Sequence, residues 1–68
     1  MKEQELVKIY TAGSMIDATL IEGLLEANNI KAFLLNKKDS EWLIGDVEIY
    51  VESKDSDAAK TIIKNRPQ

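Results

Sequence analysis

Ser14-Met15-Ile16-Asp17-Ala18-Thr19-Leu20-Ile21-Glu22-Gly23-Leu24-Leu25-Glu26-Ala27-Asn28 is the stretch that decides the fold. Wound as a helix, it places Ile16, Ala18, Leu20, Ile21, Leu24, Leu25 and Ala27 on an arc of roughly 200°, with Thr19, Glu22, Gly23 and Glu26 filling the remainder. Ser14 is the expected N-cap, with Asp17 at the third helical position in a shortened capping box. Asn28-Asn29 is the expected stop, because asparagine tolerates positive φ better than most residues. Leu24, near the middle of the arc, is expected to be a core position. The apolar arc is wider than half the helix, more than one sheet alone is expected to cover.

The segments on either side alternate with period two. Leu6 to Tyr10 reads as a strand, with Val7 and Ile9 on one face and Leu6, Lys8 and Tyr10 on the other, and Ala12-Gly13 reads as its break. Ile30 to Leu35 resumes as a strand, with Ile30, Ala32 and Leu34 opposite Lys31, Phe33 and Leu35. Asn36 to Ser40 is polar and turn-like, and Glu41-Trp42-Leu43-Ile44 fits either a hairpin extension or an ordered loop. Beyond Gly45-Asp46, Val47, Ile49 and Val51 alternate with Glu48 and Tyr50 as a third strand. A second helix is expected from after Ser53 to about Asn65, on a narrow arc of Ala58, Ala59, Ile62 and Ile63.

The order β-α-β-β-α defines an α+β domain spanning 1–68. Its expected sheet has the strand order 1-3-2 with both helices on one face, a truncated ferredoxin-like arrangement, since Arg66-Pro67-Gln68 is too short to add a closing strand. The crossover rule suggests strands one and three as parallel neighbours.

Val7-Lys8-Ile9-Tyr10-Thr11-Ala12, Asp17-Ala18, Leu20-Ile21, Gly23-Leu24-Leu25-Glu26, Ile30, Ala32 and Asn36 follow one another in an order that resembles a bacterial domain family. The family is described as putative prokaryotic signal transducing protein. Val47-Glu48-Ile49-Tyr50-Val51, Asp55, Asp57-Ala58 and Ala59 resemble its closing strand and helix. The chain departs from the pattern at Asn29, where Gly is typical, at Tyr50, where Trp is common, and at Glu52, where Pro is common. The resemblance implies a compact domain akin to the small nitrogen-regulatory signalling proteins, and it implies no reaction.

Composition narrows the function classes. Nine basic and twelve acidic residues give a formal charge of −3. The basic residues are scattered apart from Lys37-Lys38, whereas nucleic-acid binding wants a clustered basic surface. No apolar run has the length of a membrane span, and Met1-Lys2-Glu3-Gln4-Glu5 lacks the features of a signal peptide. These features point to a cytoplasmic protein without membrane or nucleic-acid partners. Histidine and cysteine are both absent, which removes the usual zinc ligands, the neutral-pH acid/base and the Ser-His and Cys-His pairs. Asp39 with Glu41 and Asp55 with Asp57 occupy turns or a helix start, where helix-end electrostatics account for them. Gly13-Ser14 is explained by capping. The chain therefore reads as a non-enzyme with no cofactor.

The candidate contact residues are Tyr10, Phe33, Leu35, Trp42 and Tyr50. The face without helices would carry Leu6, Tyr10, Phe33, Leu35 and Tyr50 around Lys8, Lys31 and Glu48. It reads either as a solvated surface with scattered apolar groups or as a contact face for a second copy, a protein partner or a ligand. Strand one also presents an open edge. Trp42 either caps the core or anchors a partner, and a small-molecule pocket between its segment and the start of helix one is the alternative site. With only carboxylates and carbonyls as possible ligands, metal is not expected to support folding. Addition of a chelator to dilute protein is expected to leave the melting temperature unchanged; a drop would contradict this reading.

Overall fold

The computed structural model describes residues 5–36 and 44–66. Its elements are β1 (Leu6–Ser14), α1 (Met15–Glu26), β2 (Ala32–Asn36), β3 (Ile44–Glu52), a 3-10 turn (Ser53–Asp55) and α2 (Ser56–Lys64). The sheet order is β1-β3-β2, as the β-α-β-β-α pattern implies. Both neighbours of β3 run antiparallel to it, so the expectation of parallel strands one and three is wrong. The right partner for the crossover rule is β2: passage through α1 leaves β1 and β2 co-directional, and the hairpin then sends β3 back between them.

Val47, Ile49 and Val51 alternate along β3 and are at most 1% exposed. Against them pack Ala18, Ile21 and Leu25 of α1 and Ala59 and Ile63 of α2, in one cluster with Ala12, Ile30 and Ala32. Both helices thus cover the same sheet face.

β1 continues through Ala12-Gly13 instead of breaking there. The reason is the length of β3, which gives Ala12 a partner in Val47 and Ser14 one in Ile44. The strand is not regular. Lys8 pairs with Tyr50 and Tyr10 with Ile49, so Ile9 and Tyr10 together oppose a single β3 residue. This β-bulge shifts the alternation by one place. Both Ile9 and Tyr10 pack against the core as a result.

Both ends of α1 match their sequence signals. Ser14 is extended (φ −158°, ψ 165°), and its side chain accepts a hydrogen bond from the Asp17 backbone N–H at 3.2 Å. At the other end Asn29 takes the left-handed conformation with φ 65°. The Ile30 N–H donates to the Leu25 carbonyl and the Asn29 N–H to the Glu26 carbonyl, both at 3.0 Å. This pair of bonds is the Schellman stop, and its usual apolar contact is supplied by buried Leu25 and Ile30.

The buried stripe of α1 is narrower than the apolar arc. Leu24 is only half-buried, while Ile16 and Leu20 are 76% and 68% exposed. Three short steps of sheet cannot reach around the helix, so the stripe centres on Ile21 and Leu25 instead of Leu24. Gly23 lies exposed in mid-helix, and a Cβ there would meet nothing within 4 Å. Relative to alanine, such a glycine costs the helix about 1 kcal/mol.

Denaturant melts are expected to rank three α1 variants. Ile21→Ala loses about 2–5 kcal/mol because it opens a cavity in the packed stripe. Leu24→Ala loses clearly less, and Gly23→Ala gains up to about 1 kcal/mol. An equal loss for Ile21→Ala and Leu24→Ala would show that the helix is rotated from this placement.

Candidate functional site

The face of the sheet turned away from the helices is built by the residues that alternate with the core positions. β3 contributes Glu48 and Tyr50, β1 contributes Leu6 and Lys8, and β2 contributes Phe33 and Leu35. Register brings them together: Tyr50 lies directly between Lys8 and Phe33, and Glu48 pairs with Leu35. Leu6 and Leu35 are 46% and 49% exposed, and Phe33 and Tyr50 are half-buried. With Leu34 at the border, these four residues line a shallow groove of about 280 Å³.

A polar cluster sits among these apolar groups. The Tyr50 hydroxyl donates to Glu48 Oε1 at 2.8 Å, and Lys8 Nζ donates to Glu48 Oε2 at 3.4 Å. Glu48 is only 8% exposed, the one buried charged residue among those described. A buried carboxylate is tolerated when donors satisfy it, and here a phenol and an ammonium do so from the same side. The hydrogen bond to Glu48 holds the Tyr50 hydroxyl above the usual tyrosine range, with burial and the negative charge of Glu48 adding to the effect. Lys31 takes no part in this pairing, since its Nζ stands 5.7 Å from the centroid of the Phe33 ring.

Of the five candidate contact residues, the structure brings Phe33, Leu35 and Tyr50 to this face. It corrects the placement of Tyr10. The bulge turns Tyr10 to the helix side, where the Arg66 guanidinium lies 5.3 Å from its ring and Nη2 donates to its hydroxyl at 3.3 Å. Arg66 Nη1 also donates to the Ile63 carbonyl at 2.7 Å, so this one side chain ties the end of α2 to β1. Trp42 lies outside the described residues, as do Lys37-Lys38, Asp39 and Glu41. Leu6, expected on this face beside Tyr10, remains as the β1 contribution to the groove. The sequence offers no signal for the departure of Tyr10, because a bulge leaves the local composition unchanged.

A second hollow, of about 310 Å³, opens at the start of α1 and is lined by Ser14, Met15, Ile16 and Thr19. Its two hydroxyls are already engaged. Ser14 accepts from the Asp17 N–H, and Thr19 Oγ1 donates to the Met15 carbonyl at 2.9 Å. Among the described residues no group of three or more acidic side chains is placed to hold a metal ion. No helix there is long and apolar enough to cross a membrane.

A three-stranded antiparallel sheet with two helices on one face and an apolar groove on the other defines a small α+β domain. The chain belongs to the family described as putative prokaryotic signal transducing protein, whose model matches residues 6–66. No curated protein and no solved structure matches the chain.

The Tyr50–Glu48 bond makes stability depend on alkaline pH. A group whose folded pKa is raised contributes fully below its unfolded value, about pH 10 for tyrosine, and loses that contribution as pH rises through the folded value. Thermal melts are therefore expected to fall more steeply above about pH 10 in the parent than in Tyr50→Phe. Identical slopes would mean that the bond is not made in solution.

Proposed function

We propose that the chain is a non-enzymatic regulatory interaction module of the bacterial cytoplasm, acting by self-association through the helix-free face of its sheet. One observation carries this reading: a continuous groove of Leu6, Phe33, Leu35 and Tyr50 lies on the side that neither helix covers. The family description supports a signalling role for the chain.

The polar cluster suits burial. Glu48 already has its donors, so covering it leaves no unpaired carboxylate. A two-fold pairing would set the groove of one copy against the groove of the other and close on itself. The available area limits the affinity. A face built of two nine-residue strands and one of five measures at most roughly 400 Å², so two copies bury well under the about 1,200 Å² of a tight interface. The expected dimer is therefore weak and concentration-dependent, which suits a regulatory contact more than a permanent one. The open edge of β1 is a poorer route, because its bulge interrupts the regular ladder that strand addition needs.

A small-molecule sensor is the second reading, favoured by the hollow at the start of α1. Its lining is mostly apolar, and each of its two hydroxyls already makes one hydrogen bond to the helix, so few polar groups remain to orient a ligand.

Sedimentation from micromolar to millimolar concentration tests the first reading. The parent is expected to dimerise reversibly, and Phe33→Glu and Tyr50→Glu to shift the equilibrium toward monomer. A parent that stays monomeric throughout removes self-association. Dimerisation that neither variant weakens moves the contact to another surface.

A further inference from the structure

Ile16, Leu20, Gly23 and Ala27 fall on one line along the outer surface of α1, opposite its buried stripe of Ala18, Ile21 and Leu25. All four are exposed, and the two large ones lie bare at 76% and 68%. We infer that this ridge is a docking strip for a helix of another protein that presents an apolar seam between basic flanks.

Three features of α1 and its surroundings specify that occupant. The first is Gly23, at the centre of the ridge. Nothing in the fold requires it, since a Cβ would meet no atom within 4 Å. A glycine on an outward helix face lets a second helix backbone approach closely, as a larger residue would not. The second is the hollow lined by Ser14, Met15, Ile16 and Thr19 at the head of the ridge, with room for an apolar side chain from the seam.

The third is charge. α1 carries Asp17, Glu22 and Glu26 and no lysine or arginine from Met15 to Glu26. Glu26 stands in the last turn, where the helix dipole disfavours an acid. Among the described residues neither Glu22 nor Glu26 takes part in an ion pair. The acids flank the ridge on both sides, Asp17 on one and Glu22 and Glu26 on the other. A second copy placing α1 against α1 would bring like charges together, whereas basic flanks would be complementary. This surface is separate from the sheet groove and does not depend on dimerisation.

The test uses two synthetic amphipathic peptides of about five helical turns with the same leucine and alanine seam, one flanked by lysines and the other by glutamates. Binding is read by fluorescence anisotropy of the labelled peptides, on the parent and on Phe33→Glu, which keeps the sheet face out of the measurement. The lysine peptide is expected to bind at least roughly tenfold tighter than the glutamate peptide, and the Glu22→Lys/Glu26→Lys variant to reverse that preference. Gly23→Leu and Leu20→Ser, both on exposed positions, are each expected to weaken binding of the lysine peptide by about tenfold or more while circular dichroism stays unchanged. Equal affinity for the two peptides, no binding of either, or indifference to Gly23→Leu and Leu20→Ser overturns the proposal. So does self-association of Phe33→Glu that Leu20→Ser abolishes, since the ridge would then belong to a second copy.

Discussion

β3 is held on both sides by hydrogen-bonded neighbours, and that position forces a division of labour between its two sets of side chains. Val47, Ile49 and Val51 form the floor on which α1 and α2 rest. Glu48 and Tyr50, one place out of step, are committed to the opposite face by the same pleat. Neither set can change without the other, because a slip of one residue in register would bury the carboxylate under the helices and expose the valines. The hydrogen bonds from β1 and β2 fix that register from both edges.

The helices settle on this floor unequally. α2 is short and buries only Ala59 and Ile63, with its end secured by Arg66 reaching to both the Ile63 carbonyl and the Tyr10 ring. α1 is longer and more apolar, yet the narrow sheet has room for just one of its stripes. What remains is a domain with its core between two layers and apolar surface on both outer sides: a groove beneath the sheet and a ridge above α1. A chain this small cannot bury all of its large apolar residues, so the surplus is where contacts with other molecules can form.

Much of the fold was legible because the relevant signals are local. Ser14 and Asp17 marked the start of α1, and Asn29 marked its stop, since capping needs a particular side chain within one helical turn. The alternation of Val47 to Val51 gave the faces of β3 directly. The crossover rule governs β1 and β2, the pair that α1 joins, and so does not give the direction of β3; the antiparallel pairing of β2 with β3 decides it. Leu24 was misplaced because periodicity shows which residues are apolar and not how much neighbouring surface exists to cover them. Of the candidate site, Phe33, Leu35 and Tyr50 followed from alternation alone. Tyr10 did not, because a bulge is a property of two strands together and one of them lies some forty residues away in the chain.

That same bulge has a consequence for how the gene can change. Two residues, Ile9 and Tyr10, stand where a regular ladder has room for one. Loss of Ile9 would leave Lys8 opposite Tyr50 and Tyr10 opposite Ile49 as they are now, with no downstream side chain changing face. A single-codon deletion, elsewhere in a strand a frameshift of inside and outside, is absorbed at this point. The shorter lineage would lose the packing of Ile9 against the core and gain a straighter outer strand, and so a greater tendency to stick to its own kind when crowded.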